Sequence, residues 1–522
     1  MQKTRLLFNN PIHKFHFHLQ SWKILVLAAG LVLTCLILFT YSIGSTTAGY
    51  GRAPSQPSSG VSPIDSSDPG DKNGNGNSNA GSDSKAKESS TNACSIDLNT
   101  LRLHAENSST IDYARITIGL NRTEHFTAFP ESIDVSIPSY RTIKLDTEAG
   151  REYRPEDDCT TSVTIEAPMP IPKPDASHMV FGVATTLDTL EGSLEGFAHW
   201  AGSTGATVIA VVEQGGSAIR SRIKQQASDL GLKLTIAQTE DDRFDRYFSL
   251  IRVLYQHVEE ATMEWAVLID DDTFFPSMRN LITQLAAYDA KVPQYIGGVT
   301  EDMARLSNSG YMAYGGAGIF LSIPLLSDLQ YVFETCHSFK DKGDRMLASC
   351  IYAHTDAKFT WERGLHQLDL HGDVSGFFES GRPLPLSVHH WNSWFQADMV
   401  ALGKVADICG DECLLHRFHL SKSKDWFLVN GYSVIQDATL WNDPRPMEQT
   451  WETSKYEGSD PFAYSLGPLR RVDRDKVSLR LMGVVQDPDK GRVRQVYVLK
   501  GTDEKPSRVL EVVWTVVQDE VD

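Results

Sequence analysis

The chain has 522 residues, of which 41% are hydrophobic and 22% are charged, so it can bury a large core and hold more than one structural unit. Its formal net charge is -18, and a balance this acidic repels phosphate backbones. These values exclude a chain that is disordered throughout and argue against a nucleic acid as the partner.

The N-terminal region predicts a membrane anchor. Residues 24–43 form an uncharged, apolar stretch of about the length that crosses a hydrocarbon core roughly 30 Å thick. All charged residues before it are basic, so the positive-inside rule places residues 1–23 in the cytosol and the rest of the chain in the lumen. A cleaved signal peptide is the alternative, although its apolar region is usually about 7 to 15 residues long. The expectation is a single-pass type II membrane protein.

The cysteines agree with a lumenal location. Of the seven cysteines only Cys35 lies in the apolar stretch, and the even number beyond it favours disulfide bonds in an oxidising compartment. Pairing neighbours along the chain joins Cys94 with Cys159, Cys336 with Cys350, and Cys409 with Cys413. Buried free thiols are the alternative. Two N-glycosylation sequons, at Asn107 and Asn121, lie on the same side of the stretch.

The rest of the chain divides into four segments. Residues 44–92 are rich in Gly, Ser and Asn and predict a flexible stem, because they bury too little apolar surface to offset the ordering entropy. Residues 93–175 carry short alternating runs and predict a small β-rich module. Residues 176–420 alternate short apolar strands with helices, which indicates βαβ units and a mostly parallel sheet. Residues 421–522 return to strands and predict a C-terminal β-rich unit.

One strand of the βαβ region ends in a cluster of acids. The apolar run Trp265–Ile269 follows a helix predicted over residues 244–260 and leads directly into Asp270, Asp271 and Asp272. Ligands bind beyond the carboxyl ends of strands in open α/β sheets. Adjacent carboxylates repel one another unless a cation neutralises them, and Mn²⁺ or another hard divalent cation would do so and bridge a diphosphate. The alternative is a solvated acidic turn in which Asp272 and Thr273 cap the following helix.

Two later motifs support a ligand site. Gly315, Gly316 and Gly318 precede an apolar run, so the backbone there can approach a ligand closely, although an ordinary tight turn has the same composition. His389 and His390 follow beside two tryptophans. A neutral imidazole there would complete a metal shell, whereas a histidine pair in the core is the alternative.

The motifs occur in a recognisable order. The segments DDDTFF, IGGVTE, YGGAGIFLS and GDRMLASCI precede the histidine pair, within residues 178–400. This order resembles the Fringe-like β-1,3-glycosyltransferases of glycosyltransferase family 31, in particular the fungal and plant branch with a DUF604-like region. The resemblance implies a GT-A catalytic domain, which is a Rossmann-like, nucleotide-sugar-binding α/β fold. It also implies a UDP-sugar donor, Mn²⁺, an inverting displacement and a place in the Golgi membrane.

The resemblance further implies roles for individual residues. Asp270 to Asp272 resemble the metal motif, with Asp272 as the direct ligand and Asp270 beside it. His389 resembles the metal-ligating histidine, with His390 as the alternate. Asp344 resembles the acid that serves as catalytic base, but this chain has one Asp where the animal proteins have two, and a salt-bridged surface loop is the alternative.

The remaining implied roles concern the donor. The residues that match the family's uridine and sugar positions are Thr185, Thr186, Arg246, Asp270, Asp271, Gly315, Gly316, Ala317 and Gly318.

Three functions fit these observations. The first is a transferase that moves a hexose, galactose or N-acetylglucosamine, from a UDP-sugar to a hydroxyl of a glycan or glycoprotein, with a β-1,3 linkage. The second is a non-catalytic carbohydrate-binding homologue. The third is a metal-dependent lumenal phosphohydrolase, which would require more His and Asp ligands for a two-metal site. The first is favoured, because a carboxylate cluster, a ligating histidine and a base are all present.

Overall fold

The structure is a computed structural model that describes residues 95–105, 108–145, 152–153, 160–339, 341, 343–395, 397–452, 462–487, 491–502 and 504–517. The expected anchor at 24–43 and stem at 44–92 lie outside these residues. Within the described ranges, no helix combines the length and the apolar character that a membrane span requires.

The strands in the described part are β1 (Ile96–Asp97), β2 (Thr110–Thr123), β3 (Ser132–Ile133), β4 (Arg141–Lys144), β5 (Glu152–Tyr153), β6 (Thr160–Pro168), β7 (Met179–Ala184), β8 (Thr207–Glu213), β9 (Lys233–Thr239), β10 (Trp265–Ile269), β11 (Tyr295–Gly297), β12 (Ile319–Ser322), β13 (Phe359–Trp361), β14 (Arg417–Leu420), β15 (Trp426–Val429), β16 (Ser433–Gln436), β17 (Met447–Glu448), β18 (Leu469–Arg470), β19 (Val477–Asp487), β20 (Arg492–Leu499) and β21 (Arg508–Val516). The helices are α1 (Leu98–Arg102), α2 (Leu187–Ala201), α3 (Ser217–Asp229), α4 (Arg243–Tyr255), α5 (Met278–Leu285), α6 (Met303–Ser309), α7 (Ile323–His337), α8 (Gly343–His354), α9 (Ser375–Phe378), α10 (Met399–Cys409), α11 (Ala438–Asn442) and α12 (Ala463–Leu466).

A seven-stranded mixed sheet occupies the middle of the chain. Its strand order is β13-β11-β12-β10-β7-β8-β9, and β7 to β10 run parallel where they pair. β12 lies antiparallel to β10 on the other side. All five residues of β10 are buried, as the uninterrupted apolar sequence predicted. The predicted βαβ pattern is confirmed as a mixed α/β fold, and the carboxyl ends of β7 and β10 meet at one edge.

A ten-stranded sheet joins the two β-rich segments that the sequence separated. In it β2, from the predicted module at 93–175, pairs in parallel with β21 near the C-terminal end, and β6 pairs with the other side of β2. β14 also belongs to this sheet, although it precedes the boundary placed at 421. β2 buries side chains on both faces, and its edges pair with β21 on one side and with β4 and β6 on the other. Periodicity along the chain shows that a strand exists, but it does not identify a partner about 400 residues away.

One helix connects the two sheets. α10 contacts α2, a helix of the α/β sheet, and it also contacts β19, β20 and β21 of the ten-stranded sheet. Leu402 and Val405 of α10 are fully buried in the hydrophobic cluster that both sheets share. Burial of side chains of this size stabilises the fold by about 1.5 to 3 kcal/mol each. The sequence boundaries therefore cut through a continuous core.

Two of the expected disulfide bonds are confirmed. Cys336 is bonded to Cys350, and Cys409 is bonded to Cys413. The first bond ties α7 to α8, the helix whose first turn carries Asp344. The third expected pair, Cys94 with Cys159, lies outside the described residues.

Candidate active site

The three acids that follow β10 contact different partners. Asp270 and Asp272 both approach His389, with Nε2 of the histidine 3.4 Å from Oδ2 of Asp270 and 2.9 Å from Oδ1 of Asp272. Asp271 instead accepts a hydrogen bond from Oγ1 of Thr185, at the end of β7, at 2.5 Å. Asp270 and Asp272 therefore contact His389, whereas Asp271 contacts Thr185 at the end of β7.

The interpretation of the acidic turn as a helix cap is wrong. The residue that caps α5 is Ser277, whose Oγ accepts a hydrogen bond from the backbone N–H of Asn280 at 3.3 Å. Phe274 is fully buried and lies between the acids and the helix. Thr273 uses its hydroxyl within the turn, where Oγ1 accepts from the backbone N–H of Asp270 at 3.1 Å. The turn thus holds the carboxylates at the sheet edge, and Ser277 caps α5 instead of Asp272 or Thr273.

The orientation of His389 is set by two backbone features. Its Nδ1 lies 3.0 Å from the carbonyl oxygen of Gln367, and a carbonyl only accepts, so Nδ1 carries a hydrogen. Nε2 therefore faces Asp270 and Asp272. A Cβ added to Gly316 would lie 2.1 Å from the imidazole, so only glycine leaves space for this ring.

The charges of this cluster are strongly coupled. Burial alone lowers the pKa of His389, but hydrogen bonds to Asp270 and Asp272 outweigh it and raise the pKa to about 10. Burial acts in the opposite direction on Asp272, yet hydrogen bonds from His389, His390 and Ser393 hold its pKa well below the usual range. A proton on His389 thus offsets part of the carboxylate charge in the metal-free protein. A cation would do the same.

The residues present fit a divalent cation. Ligand atoms of Asp272, His389 and His390 all lie within 4.8 Å of one another. Carboxylate and imidazole donors suit cations such as Mn²⁺, and the bond from Nδ1 of His389 to a backbone carbonyl is the usual support of a ligating histidine. His390 has both nitrogens near other groups, with Nδ1 3.1 Å from Oγ of Ser393 and Nε2 3.4 Å from Oδ1 of Asp369. His389 therefore fits the ligand position better than its neighbour.

Asp344 lies beside the glycine loop. Its Oδ2 accepts a hydrogen bond from the backbone N–H of Gly315 at 3.2 Å. Burial, together with the charges of Asp270 and Asp369, raises the pKa of Asp344 to about 6, although the bond from Gly315 opposes the shift. The expected alternative, a salt-bridged surface loop, does not describe this carboxyl, since it is partly buried in the first turn of α8. A carboxyl with this pKa is ionised at neutral pH and still basic.

Tyr247 is a site residue that the sequence analysis missed. A Cβ added to Gly315 would lie 2.5 Å from its hydroxyl and 3.4 Å from Oδ1 of Asp270, so these groups surround the same space. Among the described residues, the buried Tyr247 hydroxyl has no hydrogen-bond partner. Burial raises its pKa well above the usual value, and the charges of Asp270 and Asp344 add to this, so it remains a donor. Tyr247 lies beside Phe248 in the apolar part of α4, so the sequence pattern did not distinguish it from a core residue.

The predicted nucleoside residues lie at the end of β7. Nη1 of Arg246 donates to the carbonyl oxygen of Thr185 at 2.6 Å and lies 3.5 Å from Oε2 of Glu213. Thr186 uses its Oγ1 as the cap of α2, where it accepts from the backbone N–H of Thr189. Arg246 and Thr185 thus form one group that Asp271 joins through the threonine hydroxyl. Thr186 contributes mainly to the start of the helix.

The predicted glycine loop forms a single 3-10 turn, Gly315–Ala317. The backbone N–H of Ala317 donates to Oε1 of Gln367 at 2.9 Å, and the carbonyl of the same Gln367 holds His389. Gly318 has φ +91, a conformation that favours glycine. The turn therefore connects the base candidate at one end with the histidine at the other.

Residues 305–396 match the model of a family described as "Protein of unknown function, DUF604". This range contains the glycine turn, Asp344 and the histidine pair, and it confirms the DUF604-like region that the sequence order suggested. No curated protein matches the chain.

The solved structures to which the chain is similar include three glycosyltransferases. A mannosyltransferase from Pyrobaculum calidifontis, in complex with GDP-Man and Mn²⁺, is 15% identical over 36% of this chain and 57% of its own, with a TM-score of 0.25. The glycosyltransferase GlyE of Streptococcus pneumoniae is 14% identical over 44% of this chain and 60% of its own, with a TM-score of 0.28. The galactosyltransferase LgtC, in complex with donor and acceptor sugar analogs, is 9% identical over 44% of this chain and 95% of its own, also with a TM-score of 0.28. The chain thus spans less than two thirds of the first two. All three TM-scores are low, so a functional assignment depends on the chemistry of the site.

Proposed function

We propose that this protein is a metal-dependent, inverting glycosyltransferase of the GT-A fold and Fringe-like type. It moves a hexose, galactose or N-acetylglucosamine, from a UDP-sugar to a hydroxyl of a glycan or glycoprotein, with a β-1,3 linkage. One observation carries the proposal. Nε2 of His389 faces both Asp270 and Asp272, and the glycine turn links this cluster to the carboxyl of Asp344. A cation site and a base with a raised pKa, side by side, are the minimum set for this reaction.

The carboxylate and histidine cluster would hold the cation. Asp270, Asp272 and His389 would be its ligands, and when bound the cation would supply Lewis-acid stabilisation of the negative charge on the departing UDP. The protein's own contribution is to hold the ligand atoms in position before the cation binds. The carbonyl of Gln367 fixes the imidazole, and Gly316 leaves the space that the ring occupies. This pre-organisation lowers the reorganisation required during the reaction.

Asp344 would act as the general base. Inversion requires a base on the acceptor side of the sugar, opposite the leaving phosphate, and within hydrogen-bond reach of the acceptor hydroxyl. The pKa of about 6 leaves the Asp344 carboxylate ionised at neutral pH and more basic than an exposed aspartate. The backbone N–H of Gly315 donates to Oδ2 of Asp344, and the backbone N–H of Arg345, in the first turn of α8, donates to Oδ1, so both contacts orient the carboxylate. The hydroxyl of Tyr247, close to the same space, would donate to the donor sugar.

The group at the end of β7 would hold the nucleoside. Arg246 and Glu213 lie against the backbone of Thr185, whose hydroxyl donates to Asp271. Such a group offers the hydrogen-bond donors and acceptors that a uracil and a ribose require. The glycine turn Gly315–Ala317 would then lie along the sugar.

Release of UDP tests the proposal. The full-length protein in detergent, with Mn²⁺, is expected to release UDP from UDP-galactose or UDP-N-acetylglucosamine, faster when a suitable acceptor is present and not after chelation by EDTA. The measurement is a coupled assay of free UDP over a panel of UDP-sugars. Glycan binding without any UDP release would instead identify the non-catalytic homologue. Release of inorganic phosphate from UDP would favour the phosphohydrolase.

The proposal includes a Golgi membrane location with the catalytic region in the lumen. It is supported by the uncharged stretch at 24–43 and the basic residues before it. In sealed microsomes a C-terminal tag is expected to be protected from added protease, whereas an N-terminal tag is cleaved. The reverse pattern, or secretion of a soluble protein, would contradict the predicted topology.

A further inference from the structure

A cleft lies beside the cluster of Asp270, Asp272 and His389. It has a volume of about 480 Å³ and is enclosed by the loops around Asp373 and Trp394 on one side. The other side is formed by Tyr432, Arg480 and Met482 of the ten-stranded sheet. Its size is within the range of about 300 to 1,000 Å³ that is typical of ligand sites. The cleft therefore brings the C-terminal strands to the edge of the candidate active site.

The wall of this cleft is continuous with the cluster that would hold the cation. The ring of Trp394 stacks on His390, with centroids 3.6 Å apart and an interplanar angle of 9°. The preceding residue, Ser393, donates from Oγ to Oδ2 of Asp272 at 2.5 Å. The same short segment thus lines the cleft and holds a predicted metal ligand. A molecule in the cleft would lie next to the reacting groups.

The lining chemistry favours a neutral, polyhydroxylated ligand. Two carboxylates, Asp373 and Asp398, are balanced by two cations, Arg480 and Lys500, so the cleft carries no excess of either charge. A phosphate-rich ligand or an acidic peptide would need a positive excess. Among its apolar groups, Trp394 is 38% exposed, and because His390 and His371 both stack on its ring, only the rest of the indole surface is available for apolar contact with a pyranose ring. Alternating hydroxyls and apolar faces are the chemistry of a saccharide.

The sheet side of the cleft is preformed. The guanidinium of Arg480 lies over the ring of Tyr432, 4.2 Å from its centroid, and its Nη1 is 3.6 Å from Oε1 of the buried Glu379. These contacts hold a polar donor at the wall without a ligand, so little side-chain entropy is lost on binding. Met482, on β19, is 49% exposed at the rim.

We propose that this cleft binds the acceptor oligosaccharide, so that the ten-stranded sheet selects the glycan on which the α/β domain acts. The inference rests on the proposed function, since it identifies the acceptor side of the same site. It gives the C-terminal strands a role in specificity.

The test is a substitution that fills the cleft. Met482→Trp places a bulky ring at the rim, and Val485→Trp on the same strand is the matched control, because Val485 is 38% exposed and does not line the cleft. The full-length protein is applied with Mn²⁺ to an array of oligosaccharides that contain glucose, galactose, mannose or N-acetylglucosamine. Wild type and Val485→Trp are expected to bind the same oligosaccharides, and Met482→Trp to bind them at least about tenfold more weakly. Met482→Arg serves as a second filling variant, and thermal melting confirms that each variant folds.

Release of UDP in the absence of an acceptor distinguishes failure of the cleft proposal from failure of the transferase proposal. In the absence of an acceptor, the wild type and the control Val485→Trp are expected to release UDP at the same rate, which tests the transferase independently of the cleft. Undiminished glycan binding by both filling variants, or no binding by the wild type, would overturn the cleft proposal. Glycan binding that the filling variants abolish, in a protein that releases no UDP, would refute the transferase and leave the cleft as the binding site.

Discussion

Asp272→Asn is expected to abolish metal-dependent binding of UDP. Oδ1 of Asp272 lies 2.9 Å from Nε2 of His389, so this carboxylate and the imidazole would share one cation. The amide keeps the size of the side chain but loses its charge. Changes in groups that merely support a metal ligand already weaken affinity by about 10- to 100-fold, so the loss for a ligand itself should exceed about 100-fold. Calorimetric titration of UDP with and without Mn²⁺ measures it.

The same substitution should also lower the stability of the metal-free protein. Three adjacent acids in a sequence predict mutual repulsion that an asparagine would relieve. The structure shows instead that Asp272 accepts from Ser393 and pairs with His389, so the charge is stabilised where it lies. Loss of a hydrogen bond to a charged group lowers stability by about 1.5 to 3 kcal/mol. Denaturant unfolding in EDTA checks this, and it also shows that the variant is folded.

Proton competition provides an internal check of the metal site. The pKa of His389 is raised to about 10 in the metal-free protein, so a cation must displace a proton at neutral pH. Metal affinity should therefore increase as the pH rises towards 10. The raised pKa also predicts how folding stability depends on pH. The stabilisation that protonated His389 provides is complete below its unfolded pKa of about 6.5 and is lost as the pH rises through about 10.

The control for Asp272→Asn is Asp188→Asn. Asp188 is exposed in the first turn of α2, where a single charge usually changes stability by less than about 0.5 kcal/mol. This variant should bind UDP with wild-type metal dependence. If Asp272→Asn also retained the wild-type dependence on Mn²⁺, the carboxylate cluster would have a structural role only.

Asp344→Asn is expected to reduce turnover while donor and metal affinity remain unchanged. The work of a general base is done on the acceptor hydroxyl, and its loss typically lowers kcat by about 10²- to 10⁴-fold, which corresponds to roughly 3 to 5 kcal/mol of transition-state stabilisation. In the wild type, activity should decline as the pH falls through about 6, because the carboxylate becomes protonated there. The variant should lack this acid limb. Initial rates of UDP release with acceptor, measured from pH 5 to 8, provide the comparison.

Asp344→Asn should raise the stability of the folded protein, although it lowers turnover. The pKa of Asp344 is raised from 3.8 to about 6, so ionisation favours the unfolded state, and the folded protein loses stability as the pH rises through this window. Asparagine removes the charge and can still accept from Gly315. In the metal-free protein above pH 6 the variant should therefore be more stable by about 1 to 3 kcal/mol. If Asp344→Asn is more stable but less active than the wild type, Asp344 is a base whose charge burial destabilises and not a residue that folding requires.

Asp341→Asn is the matched control for Asp344→Asn. Asp341 lies just before α8 and pairs with Arg345 at 3.2 Å, so its loss should leave the rate close to wild type. A near-normal rate for Asp344→Asn would transfer the role of base to another acid. Asp369 is poorly suited to it, since Thr300 and Arg305 hold its carboxylate.

Local sequence patterns determined much of the α/β region. The apolar run before Asp270 required a buried strand, because a strand covered on both faces leaves no position for a polar side chain. The alternation of strands and helices predicted the mixed α/β fold. Short spacings also predicted both disulfide bonds that the described residues contain, since cysteines close in sequence are easily brought together.

The tertiary structure decided what depends on distant partners. The preference for His389 over His390 depends on the carbonyl of Gln367 and the space above Gly316, neither of which is visible in a two-residue motif. The orphan hydroxyl of Tyr247 becomes apparent only when α4 lies beside the glycine turn. The pairing of β2 with β21 brings together segments from opposite ends of the described chain. Periodicity reports which face of an element is buried, whereas the partner on that face is chosen by packing of the whole chain.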